Sequence, residues 1–222
     1  MKYVIISIDD GTIYDKKVIE VLNRHKIKGT FNLNSGLNDF VWYKGDRPVR
    51  RFILQDNVDV YNGHEVASHS LTHPHLTDLD NDQIAYEVGV DKENLEKTFN
   101  RPITSFAFPF HDFEERVLNR IKEINGFSAI RLSIFDKTFK FPEDPYHIKI
   151  TSLDIHETQE LFPKFLDDKD AELYVFVAHS YDIEFDNTYD LLDKFCEMIE
   201  KSDAISIYTN ELANIMSKRK AS

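Results

Sequence analysis

Cysteine is almost missing from the 222 residues, with Cys196 standing alone. No intrachain disulfide can form, so nothing in the chain calls for an oxidising compartment. Cys196 lies among Phe195, Met198 and Ile199 and reads as a buried core thiol. Long apolar runs are also missing, and none approaches the roughly 20 residues of a membrane-spanning helix. No basic, apolar and small-residue leader is visible, because Met1-Lys2 runs straight into a strand pattern. A cytoplasmic location is the expectation. Positive charge is in deficit, with 27 Lys and Arg against 39 Asp and Glu and a net charge of −12. The only basic cluster is the short tail Lys218-Arg219-Lys220. Nucleic acid and anionic membranes are therefore excluded as partners, because their phosphates would be repelled. Glycine and proline number seven each and nowhere cluster into a linker or low-complexity segment. No internal repeat is visible, and residues 1–222 read as a single domain.

What is present is a regular alternation of strand and helix patterns. Tyr3 to Ile8 is a short, nearly continuous apolar run, typical of a strand buried on both faces. Asp15 to Ile27 has helical spacing, and Gly29 ends it. Strands are expected at 30–33, 66–68, 105–108, 128–132, 147–150, 173–178 and 204–208, and helices at 81–99, 113–124, 157–166 and 189–200. Pro163 is expected to disturb the second half of the helix that contains it. Asn38 to Asn57 and Asp136 to Pro145 read as irregular excursions, the first of them near the site. Alternation from end to end predicts a parallel sheet with crossover helices. The number of repeats points to a closed or nearly closed β/α barrel of about seven strands, slightly shorter than the roughly 250 residues of a full eight-fold barrel.

Three strand ends carry chemistry. Asp9-Asp10-Gly11 ends the first strand, on the face where barrel active sites are built. An Asp-Gly turn with solvated acids is an equal reading of that segment alone. His69 and His73 follow the third strand in H-x-x-x-H spacing, which lets two imidazoles converge on one ion. His179 follows the strand Leu173 to Ala178 and is a candidate general acid, although alone it is most simply a loop histidine. All five residues fall on one expected rim.

These segments resemble the motifs of the polysaccharide deacetylase family, also called carbohydrate esterase family 4 or the NodB-homology domain. S-I-D-D-G-T (7–12) resembles T-F-D-D-G-P, and H-S-L-T-H (69–73) matches H-[ST]-x-x-H. F-A-F-P-F-H (106–111) resembles the F-A-Y-P-Y-G variant of the third motif, and A-H-S-Y-D (178–182) resembles the late L-H motif. Lys28 to Gly36 is similar to an uncharacterised bacterial subgroup. The resemblance implies a distorted (β/α) barrel and hydrolysis of an N-acetyl group on an amino sugar. It implies that Asp10, His69 and His73 hold one divalent metal ion, zinc first, with cobalt or nickel as alternatives. Asp9 would be the base that takes a proton from the attacking water, and His179 the acid that protonates the leaving amine. The backbone N–H of Phe110 would help hold the oxyanion.

The departures bear on the substrate. The family's third-motif arginine, which pairs with the catalytic aspartate, is Ala107 here. Arg131, on another strand, is a candidate replacement, and a structural ion pair is an equal reading of it. The D-x-x-D-W segment that orients the acid histidine has no clear match, and Asp154 is its stand-in. His111 replaces a glycine, and Ala178 replaces the leucine that walls the acetyl pocket. Trp42 and Tyr181 read either as sugar-stacking rings or as core aromatics. The expected substrate is a carbohydrate or a small amide. The alternatives are a hydrolase of another non-peptide C–N bond on the same fold and a non-catalytic carbohydrate-binding protein. Oligomeric state leaves no mark on the sequence.

Overall fold

In the computed structural model, which describes residues 1–220, strands and helices follow one another almost as the periodicity predicts. The order is β1 (Tyr3–Asp9), α1 (Asp15–Arg24), β2 (Thr30–Leu33), β3 (Val41–Lys44), β4 (Arg47–Arg50), β5 (Glu65–Ser68), α2 (Asn81–Phe99), β6 (Ser105–Ala107), α3 (Glu115–Lys122), β7 (Ala129–Phe135), β8 (Ile148–Ile150), α4 (Ile155–Asp167), β9 (Leu173–His179), α5 (Ser180–Phe185), α6 (Tyr189–Glu200), β10 (Ile205–Ile207) and α7 (Glu211–Lys220). Seven parallel strands run β9-β1-β2-β5-β6-β7-β8. A bridge between Ser152 and Phe176 nearly closes this sheet into a barrel. β10 pairs with β1 at Tyr3–Ile5, below the Ser7–Asp9 stretch that pairs with β2.

Alternation along the strands sorts side chains into two environments. Val4, Ile6 and Ile8 of β1 and Tyr174 and Phe176 of β9 join the core shared with the helices, including Phe162, Phe165 and Phe195. Ile5, Ile148, Ile150, Val175 and Val177 form a second cluster, completed by Leu212 and Met216 of α7. Beside it the inward positions are polar. Glu65 accepts from Thr30 Oγ1 at 2.7 Å and Ser105 Oγ at 2.6 Å, with every partner buried. One position further up, this face carries Asp9, Asn32, Ala107 and Arg131, all buried.

Several expectations are adjusted. The stretch 38–57 is not irregular throughout, because β3 and β4 pair as an antiparallel hairpin turned at Gly45, where φ is +64°. α4 continues through Pro163, since the buried Phe162 and Phe165 on either side fix it to the barrel and packing overrides propensity. β7 extends to Phe135, and α3 is shorter than expected. α5 and α7 are helices that the sequence pattern did not separate from loop. Cys196 is a fully buried free thiol. Among the described residues, no helix is long and apolar enough to cross a membrane.

Candidate metal centre and active site

Asp9 ends β1, His69 follows β5 directly, and His179 ends β9, so parallel strands deliver all three to one rim. Asp9 and His179 are paired across β1 and β9. Tight turns aim the next residues back over the barrel. Asp10 (φ +86°), His73 (φ +55°) and Phe110 (φ +55°) all take left-handed backbone conformations. Such conformations are costly for residues with a Cβ and persist where surrounding structure fixes them. Gly11 (φ +65°) makes the first turn possible, since a Cβ there would meet Leu33 Cδ2 at 2.9 Å.

Asp10, His69 and His73 each place one ligand atom within 4.8 Å of the others. His69 Nδ1 donates to the Ala107 carbonyl at 2.8 Å, which leaves Nε2 as the free lone pair of the ring. Its backbone N–H donates to Leu33 O at 2.9 Å, and Asn34 Nδ2 donates to the carbonyls of His69 and Ser70 at 2.6 and 2.7 Å. Burial pushes the His69 imidazole down to about 4, and burial lowers His73 as well, so both are neutral as ligands must be. Burial raises the Asp10 carboxyl, but Arg51 and the neighbouring histidines outweigh it and hold the group well below its usual value. Two neutral imidazoles and one carboxylate converging in a buried setting fit a divalent ion.

Asp9 is held separately. Arg131 Nη2 donates to both its oxygens, at 2.8 and 2.7 Å, and Asn32 Nδ2 donates to Oδ1 at 2.7 Å. Arg131 is only 2% exposed, so this is a desolvated ion pair in the barrel interior. Burial raises the Asp9 carboxyl, but Arg131, then His69 and His179, bring it below the ordinary value. Arg131 is paired with Ala107 across β7 and β6. Residues in register on adjacent parallel strands face the same side. The guanidinium absent at position 107 therefore arrives from the neighbouring strand.

On the other side, His179 Nε2 lies 3.9 Å from Asp10 Oδ2, and Nδ1 lies 3.3 Å from Asp182 Oδ2. Burial lowers the imidazole, but Asp182, Asp10 and Asp9 reverse this and raise it above its usual value. The carboxylate against His179 is thus Asp182, one turn along α5, and not Asp154 as expected. Asp154 lines the same cleft, about 190 Å³ in volume, but its carboxylate caps α4 through the His156 N–H. Lys44, from the hairpin, pairs with Asp182.

Phe110 sets its ring edge-on to His73 at 4.5 Å and stacks on His75 at 3.8 Å. His111 lies 6.0 Å from Phe135. Tyr181 stacks on His179 at 5.0 Å and meets Trp42 edge-on at 5.5 Å. Sequence reading missed Arg51, which bonds Asp10 through Nη2 at 2.9 Å. It also missed Asp91 of α2, which accepts from Ser68 Oγ at 2.6 Å and from the His69 N–H at 3.3 Å. Asp91 interrupts an otherwise apolar stripe of Ile84, Val88, Leu95 and Phe99, and that interruption was the available signal.

The fold and the rim together define a β/α-barrel protein with a histidine–carboxylate cluster at the C-terminal ends of its strands. Residues 1–126 match the family model for polysaccharide deacetylase, and the chain belongs to that family. Chitin deacetylase 1 of Cryptococcus neoformans is 26% identical over 183 residues, covering 80% of this chain and 36% of that protein. The uncharacterized protein YlxY of Bacillus subtilis is 26% identical over 115 residues, covering 52% of this chain and 33% of that protein. The chain spans about a third of the length of these relatives. A family 4 acetyl xylan esterase from Clostridium thermocellum, solved with a cobalt ion, superposes with a TM-score of 0.68 at 15% identity, over 97% of this chain and 92% of that one.

Proposed function

We propose that this chain is a metal-dependent hydrolase that removes the N-acetyl group from an amino-sugar substrate. The observation that carries this reading is the division of labour between adjacent aspartates. Asp10 faces the two histidines, while Asp9 is turned to Arg131 and Asn32 and kept ionised. A divalent ion held by Asp10, His69 and His73, zinc by the donor set, would polarise the amide carbonyl and acidify the attacking water.

The remaining work falls to the chain. Asp9 accepts the proton of the attacking water at a carboxylate oxygen that Arg131 and Asn32 hold in place. The Phe110 backbone N–H is the candidate donor to the oxygen that gains charge. An amide nitrogen leaves poorly unless it is protonated. His179, raised above its usual value with Asp182 against Nδ1, is the group placed to deliver a proton from Nε2 as the C–N bond breaks. The products are acetate and a free amine.

The chitin deacetylase match supports an acetamido sugar as substrate. The test pairs elemental analysis with acetate release from chitooligosaccharides. About one ion per chain is expected, lost in His69→Ala together with activity. Asp9→Asn is expected to keep the ion and lose roughly a hundredfold or more in kcat. Full turnover by Asp9→Asn would remove Asp9 as the base. An absence of bound metal after incubation with zinc, cobalt or nickel would overturn the hydrolase reading.

A further inference from the structure

Phe110 is held in a conformation that its own residue type disfavours. It carries a Cβ at φ +55°, in the left-handed region. Its backbone N–H meets no acceptor among the described residues. Strain of this kind persists only where the surroundings impose it. Two rings do so here. His73, a candidate metal ligand, lies edge-on at 4.5 Å, and His75 lies face to face at 3.8 Å with planes 3° apart. His75 is tied down in turn, because its Nδ1 bonds Asp112 Oδ2. Thr77 Oγ1 donates to the same oxygen at 3.4 Å. Asp112 lies just beyond Phe110, so the loop with the strained residue also carries the group that fixes the ring stacked on it. Arg116, at the start of α3, fastens the facing loop through Thr77 O at 3.1 Å and Leu79 O at 3.0 Å. Side chains thus latch the segments 73–79 and 110–116 to each other.

We propose that His75 is a positioning residue: with Asp112 it clamps Phe110 so that the free N–H stands ready for the oxygen that gains charge on the amide. This rests on the deacetylase reading of the same site. His75 itself touches no reacting atom. The Phe110 ring, 41% exposed, is then a handle for its own backbone. A partly exposed pair such as His75 with Asp112 contributes little by itself. The stack must therefore carry most of the clamp, while the carboxylate sets the angle of the imidazole. It follows that a flat aromatic ring without charge should serve at position 75.

The experiment compares zinc-loaded parent, His75→Ala and His75→Phe on chitooligosaccharides, with metal content measured on each. His75→Ala should lower kcat about tenfold and leave KM within about twofold, a part of the cost of losing an oxyanion donor outright. His75→Phe should recover most of that loss, and metal content should match the parent in both. A second readout needs no turnover. In protein carrying isotope-labelled phenylalanine, Phe110→Tyr identifies the Phe110 amide among the 17 phenylalanine NMR signals. Acetate, the expected product, should shift that signal in the parent and in His75→Phe, and not in His75→Ala. A His75→Phe protein as slow as His75→Ala would overturn the clamp. So would a rise in KM alone, or loss of the ion, in His75→Ala. An amide signal that answers acetate equally in all three proteins, or in none, would overturn it as well. No acetate release by the parent, with the amide shifts as expected, would remove the deacetylase reading and leave the clamp in place.

Discussion

The two sides of the site are built by different means. On the ligand side, His69 is fixed by buried groups of the barrel, namely the backbone carbonyls of Ala107 and Leu33, which accept from it, and the side-chain amide of Asn34, which donates to its carbonyl. These contacts lie within the barrel wall and can be lost only by disturbing strands. On the acid side, His179 depends on Asp182, and Asp182 depends in turn on Lys44, whose side chain is 55% exposed on the hairpin. The first side is preorganised by the fold. The second is assembled by an appendage whose contacts are partly solvated and individually weak. Metal capture should therefore be robust to changes at Lys44 and the hairpin's outer residues, with Arg51 at its base the exception because it bonds Asp10, while proton delivery should not be.

The sharpest way to separate the two sides is Asp182→Ala. It removes the group that orients His179 without touching Asp10, His69 or His73. A loss of about 10- to 100-fold in kcat is expected, the usual effect of removing a carboxylate that orients a functional histidine. Metal content measured by elemental analysis should be unchanged. Loss of the ion in parallel with activity would show that the two sides are one unit.

Each side also rests on a buried carboxyl. Asp91 lies beneath His69, and Asp15 accepts from Ser180 Oγ at 2.5 Å, directly after His179. Burial pushes both up to about 7. For Asp15 the native state therefore holds a proton that the unfolded chain releases near its ordinary value of 3.8. Its contribution is most favourable at the acidic end and is lost as pH rises towards 7. Asp15→Asn mimics the protonated form. The Tm of this variant relative to the parent should climb as pH goes from 5 to 8. A difference that stays constant over that range would mean that Asp15 is already ionised at pH 5.

The ligand side was also the side legible in the sequence. His69, His73, Asp9 and Asp10 are tied to strand ends, and strand ends are what apolar runs reveal. The barrel was readable for the same reason. The supports were less so, because each joins residues far apart in the chain: Arg131 stood as a candidate partner of Asp9 with a structural ion pair as an equal reading, and Lys44 and Arg51 were given no role. Arg131 reaches Asp9 across 122 positions, and Lys44 reaches Asp182 across 138. No local period encodes such pairs. The parity of β6 against β7 explains in hindsight why an arginine missing at 107 could reappear at 131. Asp154 misled for the complementary reason, since a helix cap and a site carboxylate look alike in one dimension.

The smallest expected effect is also the finest test of the contrast. Lys44→Ala removes the hairpin's charge from Asp182 but leaves Asp182 against His179 and Trp42 against Tyr181. Partly exposed ion pairs contribute at most about 1 kcal/mol, so kcat should fall by no more than roughly fivefold. Such a pair is screened by salt. The parent should therefore approach the variant as ionic strength is raised, while the variant itself stays flat. No comparable salt dependence is expected of metal occupancy, because the ligand side is buried. A Lys44→Ala loss as large as that of Asp182→Ala would mean that the hairpin places the acid rather than trimming it. Equal rates at every salt concentration would mean that α5 alone holds Asp182 in position, and that the hairpin's part lies with its aromatic rings.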